Sequence, residues 1–238
     1  MNSVKALFLK QVSDLPKNMS ITIMYIMFPL LSLIVGGFMQ EQDPEGAAAI
    51  NLQFAMMFVG MTPLVAVANT IAEDNEYKSL RFLVMAGVKP IQYLLGLLSF
   101  VMIMSALPIL AFGLVGGLGG TDLLVFMGLC LLGAFAACIL GAVIGLFSKN
   151  VQQCSTIYTP VMMILAFVPF ISMFNETVES IGFAVFTQQI FMALMYIVME
   201  IETFSFAGLP VSLAVIGANG LLFVILFAVA YRKKGLKG

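Results

Sequence analysis

An all-α membrane protein with six transmembrane helices is the fold class this sequence predicts, and three observations predict it. The 238 residues are 61% hydrophobic and only 10% charged, with a mean hydropathy of +1.08, where a soluble domain is roughly a quarter charged. Six apolar runs, at 20–39, 51–72, 91–115, 122–147, 156–174 and 211–231, are of the ~20-residue length that carries a helix across a bilayer. The eleven basic residues then fall on one side of a six-span chain. Together these predict a single membrane domain over 1–238, without internal repeats.

The first element, 1–18, reads as a helix lying in the membrane interface. Val4, Leu7, Phe8, Val12 and Leu15 recur at helical spacing, while Lys5, Ser13 and Asp14 fall elsewhere on the wheel, the two-faced pattern of an interfacial helix. Lys5, Lys10 and Lys17 precede a run of full span length that no A-x-A site follows, so 20–39 is expected to be an anchor rather than a cleaved signal.

Charge placement predicts the topology. With the N-terminus cytoplasmic, Lys5, Lys10, Lys17, Lys78, Arg81, Lys89, Lys149, Arg232, Lys233, Lys234 and Lys237 all lie inside, and so do both termini. Glu41, Asp43, Glu45, Asp122, Glu176, Glu179, Glu200 and Glu202 lie outside. That agrees with the excess of Lys and Arg in cytoplasmic loops. A full crossing by 181–199 would break the rule. Thr187, Gln188 and Gln189 in its middle would also be costly facing lipid without partners. Segment 175–210 is therefore expected to be a re-entrant outer hairpin, or to lie along the outer face, with those three residues at its tip.

In the fourth run Gly133, Ala137, Gly141 and Gly145 put a small residue at every fourth position, which lets helices approach closely in lipid. Packing within the chain and a subunit interface both fit this row. The glycine-rich stretch 113–120 before it is an outer turn.

The span interiors hold no Asp, Glu, Lys or Arg, which argues against a proton- or sodium-coupled carrier with ionisable groups on its route. Asn51, Asn69 and Asn219 are expected to make helix-packing hydrogen bonds. Histidine is absent, and Cys130, Cys138 and Cys154 form no zinc or nucleophile pattern. There is no G-x-x-x-x-G-K-[ST] loop to cradle a nucleotide. Catalysis on this chain is therefore not expected, nor are a cofactor, a metal or a nucleic-acid partner.

Segment 71–90, IAEDNEYKSLRFLVMAGVKP, carries six of the 23 charged residues. The pattern predicts a short cytoplasmic helix within 73–88. Glu73, Asp74 and Glu76 would sit in its first turn, where the helix dipole favours acids. Asp74 and Lys78 would pair at i, i+4 and form a polar stripe with Arg81. Tyr77, Leu80 and Val84 would form an apolar stripe, and Gly87 and Pro90 would end the helix. Such a helix between two spans suits docking on a soluble partner and passing on a rigid-body movement.

DNEYKSL, 74–80, resembles the E-R-E-x-G-T-L signature of ABC type-2 exporter permeases. Asp74 and Glu76 stand for the acids, Ser79 for the Thr and Leu80 for the Leu. Asn75 replaces the basic residue, Lys78 replaces the Gly, and Gly96 is followed by Leu97 where the family often has Gly-Lys. The element order is similar to that family over essentially the full length, including Phe28-Pro29 in the first span. The resemblance implies a permease subunit working with a second permease copy or paralogue and two separate ATPase subunits, which bind the ATP and Mg. The interfacial helix, the coupling helix and, less extensively, 146–155 would touch the ATPases. With 18 Met and 21 Phe, surfaces that adapt to varied apolar partners, the expected cargo is an amphiphilic or hydrophobic peptide or drug, exported across the bacterial plasma membrane. An ion-gradient-driven carrier or channel subunit is the alternative.

Overall fold

Six long apolar helices form in the computed structural model, which describes residues 3–14, 18–41, 43–79, 85, 87, 89–199 and 207–234. In chain order the elements are α1 (Ser3–Asp14), α2 (Met19–Met39), α3 (Pro44–Glu76), α4 (Pro90–Val115), α5 (Gly120–Phe147), α6 (Val151–Ser172), α7 (Glu176–Gly182), α8 (Phe186–Met199) and α9 (Leu209–Lys234). No strand occurs among the described residues.

α3 and α6 start ahead of their apolar segments because capping chemistry, not hydropathy, sets their first residues. Before α3, the Asp43 side chain accepts the Gly46 N–H at 2.9 Å, and Pro44 and Glu45 occupy the first turn. A side-chain acceptor, a proline at the first position and an early acid are what a helix start favours. Likewise Asn150 accepts the Gln153 N–H at 2.8 Å to start α6. The glycine-rich turn holds Gly117 and Gly120 at φ 71° and 57°, the left-handed region that side chains resist.

α3 is the central post. It packs against α2, α4, α5, α6 and α8, and 78% of its most apolar window is buried, against 17% for α9 and 28% each for α2 and α6. Those three helices therefore offer most of their surface to surroundings outside the chain. The small-residue row of α5 lies against α3: a Cβ on Gly133 would come within 2.8 Å of Val59, and one on Gly141 would meet the Leu64 carbonyl. Of the two uses of that row, the structure shows packing within the chain.

Asn51 and Asn69 join helices as expected, and Asn219 ties α9 to the turn between α7 and α8. Asn51 donates to the Phe112 carbonyl at 2.8 Å and accepts from Ser32, Asn69 donates to the Tyr158 hydroxyl at 3.4 Å, and Asn219 donates to the Ala184 carbonyl at 3.0 Å. Cys130, Cys138 and Cys154 are buried free thiols.

α7 and α8 meet at a 114° bend. Thr187, Gln188 and Gln189 begin α8 just past that elbow and are fully buried. Pro169 has no N–H, so in α6 it frees the carbonyl four residues before it. That carbonyl, on Leu165, accepts from Thr187 Oγ1 at 2.6 Å. Gln188 Nε2 donates to Ser172 Oγ at 2.9 Å, and Gln189 Nε2 to the Phe183 carbonyl at 2.8 Å. The three polar side chains thus find partners inside the protein, which removes the cost of burying them.

Candidate coupling site

The charged cluster does not start a separate helix. α3 stays helical for 33 residues, to Glu76, about 50 Å at ~1.5 Å per residue, well beyond a ~30 Å hydrocarbon core. Glu73, Asp74 and Glu76 therefore occupy its last turn, where the dipole disfavours acids. Neighbouring helices offset that penalty.

Asp74 is buried at 5% exposure. Its carboxylate accepts the Tyr93 hydroxyl at 2.7 Å and forms a salt bridge with Lys10 Nζ at 3.0 Å. The i, i+4 partner expected from spacing, Lys78, lies past the helix end at φ 57°, so Asp74 turns inward instead of joining an exposed stripe. Asn75 Nδ2 donates to the Gly145 and Ser148 carbonyls, both at 3.2 Å. Glu76 is exposed and accepts the Val151 N–H at 3.0 Å, at the α6 N-terminus, where the dipole favours an anion. Glu73 is half-buried beside them.

α1 lies on α4, with Leu7 buried and Phe8 edge-on to Phe100 at 5.7 Å. The wheel placed Val12 on the same face. In the structure Val12 is exposed and Gln11 is buried instead, because Gln11 is one turn from Leu7 and shares its side of the helix. Leu15 and the Val4 side chain lie outside the described residues. A cavity of about 730 Å³ opens between these elements, lined by Lys10, Asp14, Glu73, Asp74, Glu76 and Tyr77 among others.

Beyond Lys78 the described residues are Ser79 and Met85, both helical, and Gly87. Leu80, Arg81 and Val84 lie outside them, so the expected apolar stripe is represented by Tyr77 alone, 70% exposed, and the polar one by Asp74 and Lys78. Sequence reasoning missed Lys10, Tyr93, Asn75 and the capped start of α6 as members of this site. The Asn150–Gln153 spacing signals the cap, whereas the Lys10 and Tyr93 contacts carry no local signal.

The profile of the ABC-2 family transporter protein matches residues 10–232. The chain belongs to the ABC-2 transporter family. No curated protein matches it. Family membership makes the chain a multi-pass membrane subunit of an ABC transporter, a kind of subunit that generally lacks an ATPase site of its own and implies an ABC ATPase partner.

Lys78, just past the end of α3, takes the left-handed backbone conformation. A non-glycine residue there costs about 1–2 kcal/mol, partly offset by the ~0.5–1 kcal/mol of extra chain entropy that glycine loses on folding. Lys78→Gly is expected to stabilise the permease by about 0.5–1 kcal/mol. A rise in the thermal midpoint of the purified chain checks this.

Proposed function

We propose that this ABC-2 permease moves an amphiphilic or hydrophobic substrate, a peptide or drug, outward across the bacterial plasma membrane, powered by two copies of a separate ATPase that binds ATP and Mg. The family match over 10–232 carries the reading. Both termini lie in the cytoplasm, as the charge distribution favours. The end of α3, α1 and the segment after Lys78 face the ATPases, with the 146–155 elbow as a smaller contact. Tyr77 and the outward Leu9 and Val12 of α1 offer apolar surface at that end.

The sparsely covered α2, α6 and α9 face lipid and a second permease, a copy or a paralogue. The α7–α8 elbow dips into the outer leaflet and returns. Its polar side chains are satisfied within the protein, as non-helical backbone at membrane depth requires.

Affinity purification of the chain from its native membrane in mild detergent tests the proposal. A bound partner in stoichiometric amount that hydrolyses ATP is the expected result. A clean preparation without an ATPase, combined with gradient-driven flux in proteoliposomes, would replace it with a secondary carrier or channel.

A further inference from the structure

Three consecutive side chains at the end of α3 reach three different directions, because successive residues on a helix point about 100° apart. Asp74 holds α4 through Tyr93 and α1 through Lys10. Asn75 holds the C-terminal carbonyls of α5. Glu76 holds the first N–H of α6. One helix turn thus fastens five helices at one end of the bundle, while none of these bonds reaches α2 or α9. The Asn75 amide and one Glu76 carboxylate oxygen are already engaged, and Asp74 is closed off from solvent.

We propose that Asp74, Asn75 and Glu76, with Lys10 and Tyr93, are positioning residues: they bind no partner but lock α1, α3, α4, α5 and α6 into one body, so that a push received beyond Tyr77 moves all five together against α2. This rests on the ATP-driven reading above. Chemistry supports a lock here over a plain surface charge cluster. Three of the bonds end on a group at a helix terminus or on a buried one: the Ser148 carbonyl that caps α5, the first N–H of α6 and the buried Tyr93.

The test separates transmission from attachment. Phe38→Cys at the far end of α2 and Phe174→Cys beyond α6 are exposed label sites, and the three native thiols are buried. The distance between spin labels at the two sites is measured in the purified permease–ATPase complex, nucleotide-free and trapped with ATP and vanadate. The unsubstituted joint should give a nucleotide-dependent shift. Asp74→Asn and the milder Tyr93→Phe should keep the ATPase bound and hydrolysing but lose most of the shift, and Lys10→Asp with Asp74→Lys should restore it. Gly133→Ala, which crowds Ile190 and Val59 away from the joint, serves as a control that lowers stability yet keeps the shift. A normal shift in both joint variants overturns the proposal, and so does loss of the ATPase from them, which would make these residues contacts. Absence of any ATPase from the unsubstituted complex would instead sink the ATP-driven reading itself.

Discussion

Gly141→Val should leave no folded permease. A Cβ at Gly141 meets the Leu64 carbonyl oxygen and lies 3.1 Å from Leu64 Cα, and these are backbone atoms of the central helix that cannot rotate away. Relief requires α3 and α5 to separate, opening the most extensive helix contact in the bundle. Overpacking a core costs about 1–3 kcal/mol where side chains can adjust, and here they cannot. The native stability of a domain is only ~5–15 kcal/mol. Gly141→Ala is expected to lower the thermal midpoint clearly. Gly141→Val should elute as aggregate on size exclusion. Gly128→Ala on the same helix, with nothing within 4 Å of its added Cβ, should behave as the unsubstituted chain.

Glu76→Lys should assemble but fail to transmit. Losing the Val151 N–H contact and placing a cation at the α6 N-terminus costs only about 1–2 kcal/mol, less because the side chain is exposed to solvent. The permease should therefore reach the membrane and retain its ATPase. The functional effect is larger, because Glu76 is the last residue of α3 and joins it to α6 directly before Tyr77. Hydrolysis by the assembled complex should run at the rate of the free ATPase, without the change that permease engagement imposes. Glu76→Gln keeps an amide oxygen for the same N–H and should stay near the unsubstituted rate. Unaltered coupling in Glu76→Lys would count against the α3 end as the lever.

These two positions differ in how far the sequence reveals them. The row Gly133, Ala137, Gly141, Gly145 is a periodic pattern, and its role in close approach follows from spacing alone. Which helix it meets is a tertiary fact. The spans were legible because lipid demands long apolar helices, and the starts of α3 and α6 were legible in Asp43-Pro44 and in Asn150 with Gln153. The end of α3 was not. Apolar composition stops near residue 72, but helical hydrogen bonding continues for another turn, supported by contacts with Lys10, 64 positions away, and with Tyr93. A wheel drawn on 73–86 assumes a free helix and so turns Asp74 outward, whereas Tyr93 of α4 and Lys10 of α1 draw it in. Gln11 and Val12 exchange places for a similar reason: polarity argues for exposing Gln11, but its register with Leu7 sets it on α4.

The resemblance of DNEYKSL to the permease signature points to the end of α3, where the structure gives the acids roles that the signature does not announce. Asp74 and Glu76 bond to neighbouring helices, and Tyr77 is the first large exposed side chain beyond them. Lys78, in the left-handed conformation, marks the same boundary.

Photo-crosslinking from this boundary tests the account most directly. A benzophenone amino acid in place of Tyr77, irradiated in native membranes, should yield an adduct with an ATP-hydrolysing subunit, and the same probe in place of Phe38 at the opposite end should yield none. Adducts at Tyr77 that contain no ATPase, or an ATPase adduct at Phe38, would contradict the claim that ATP-driven movement enters this permease at the end of α3.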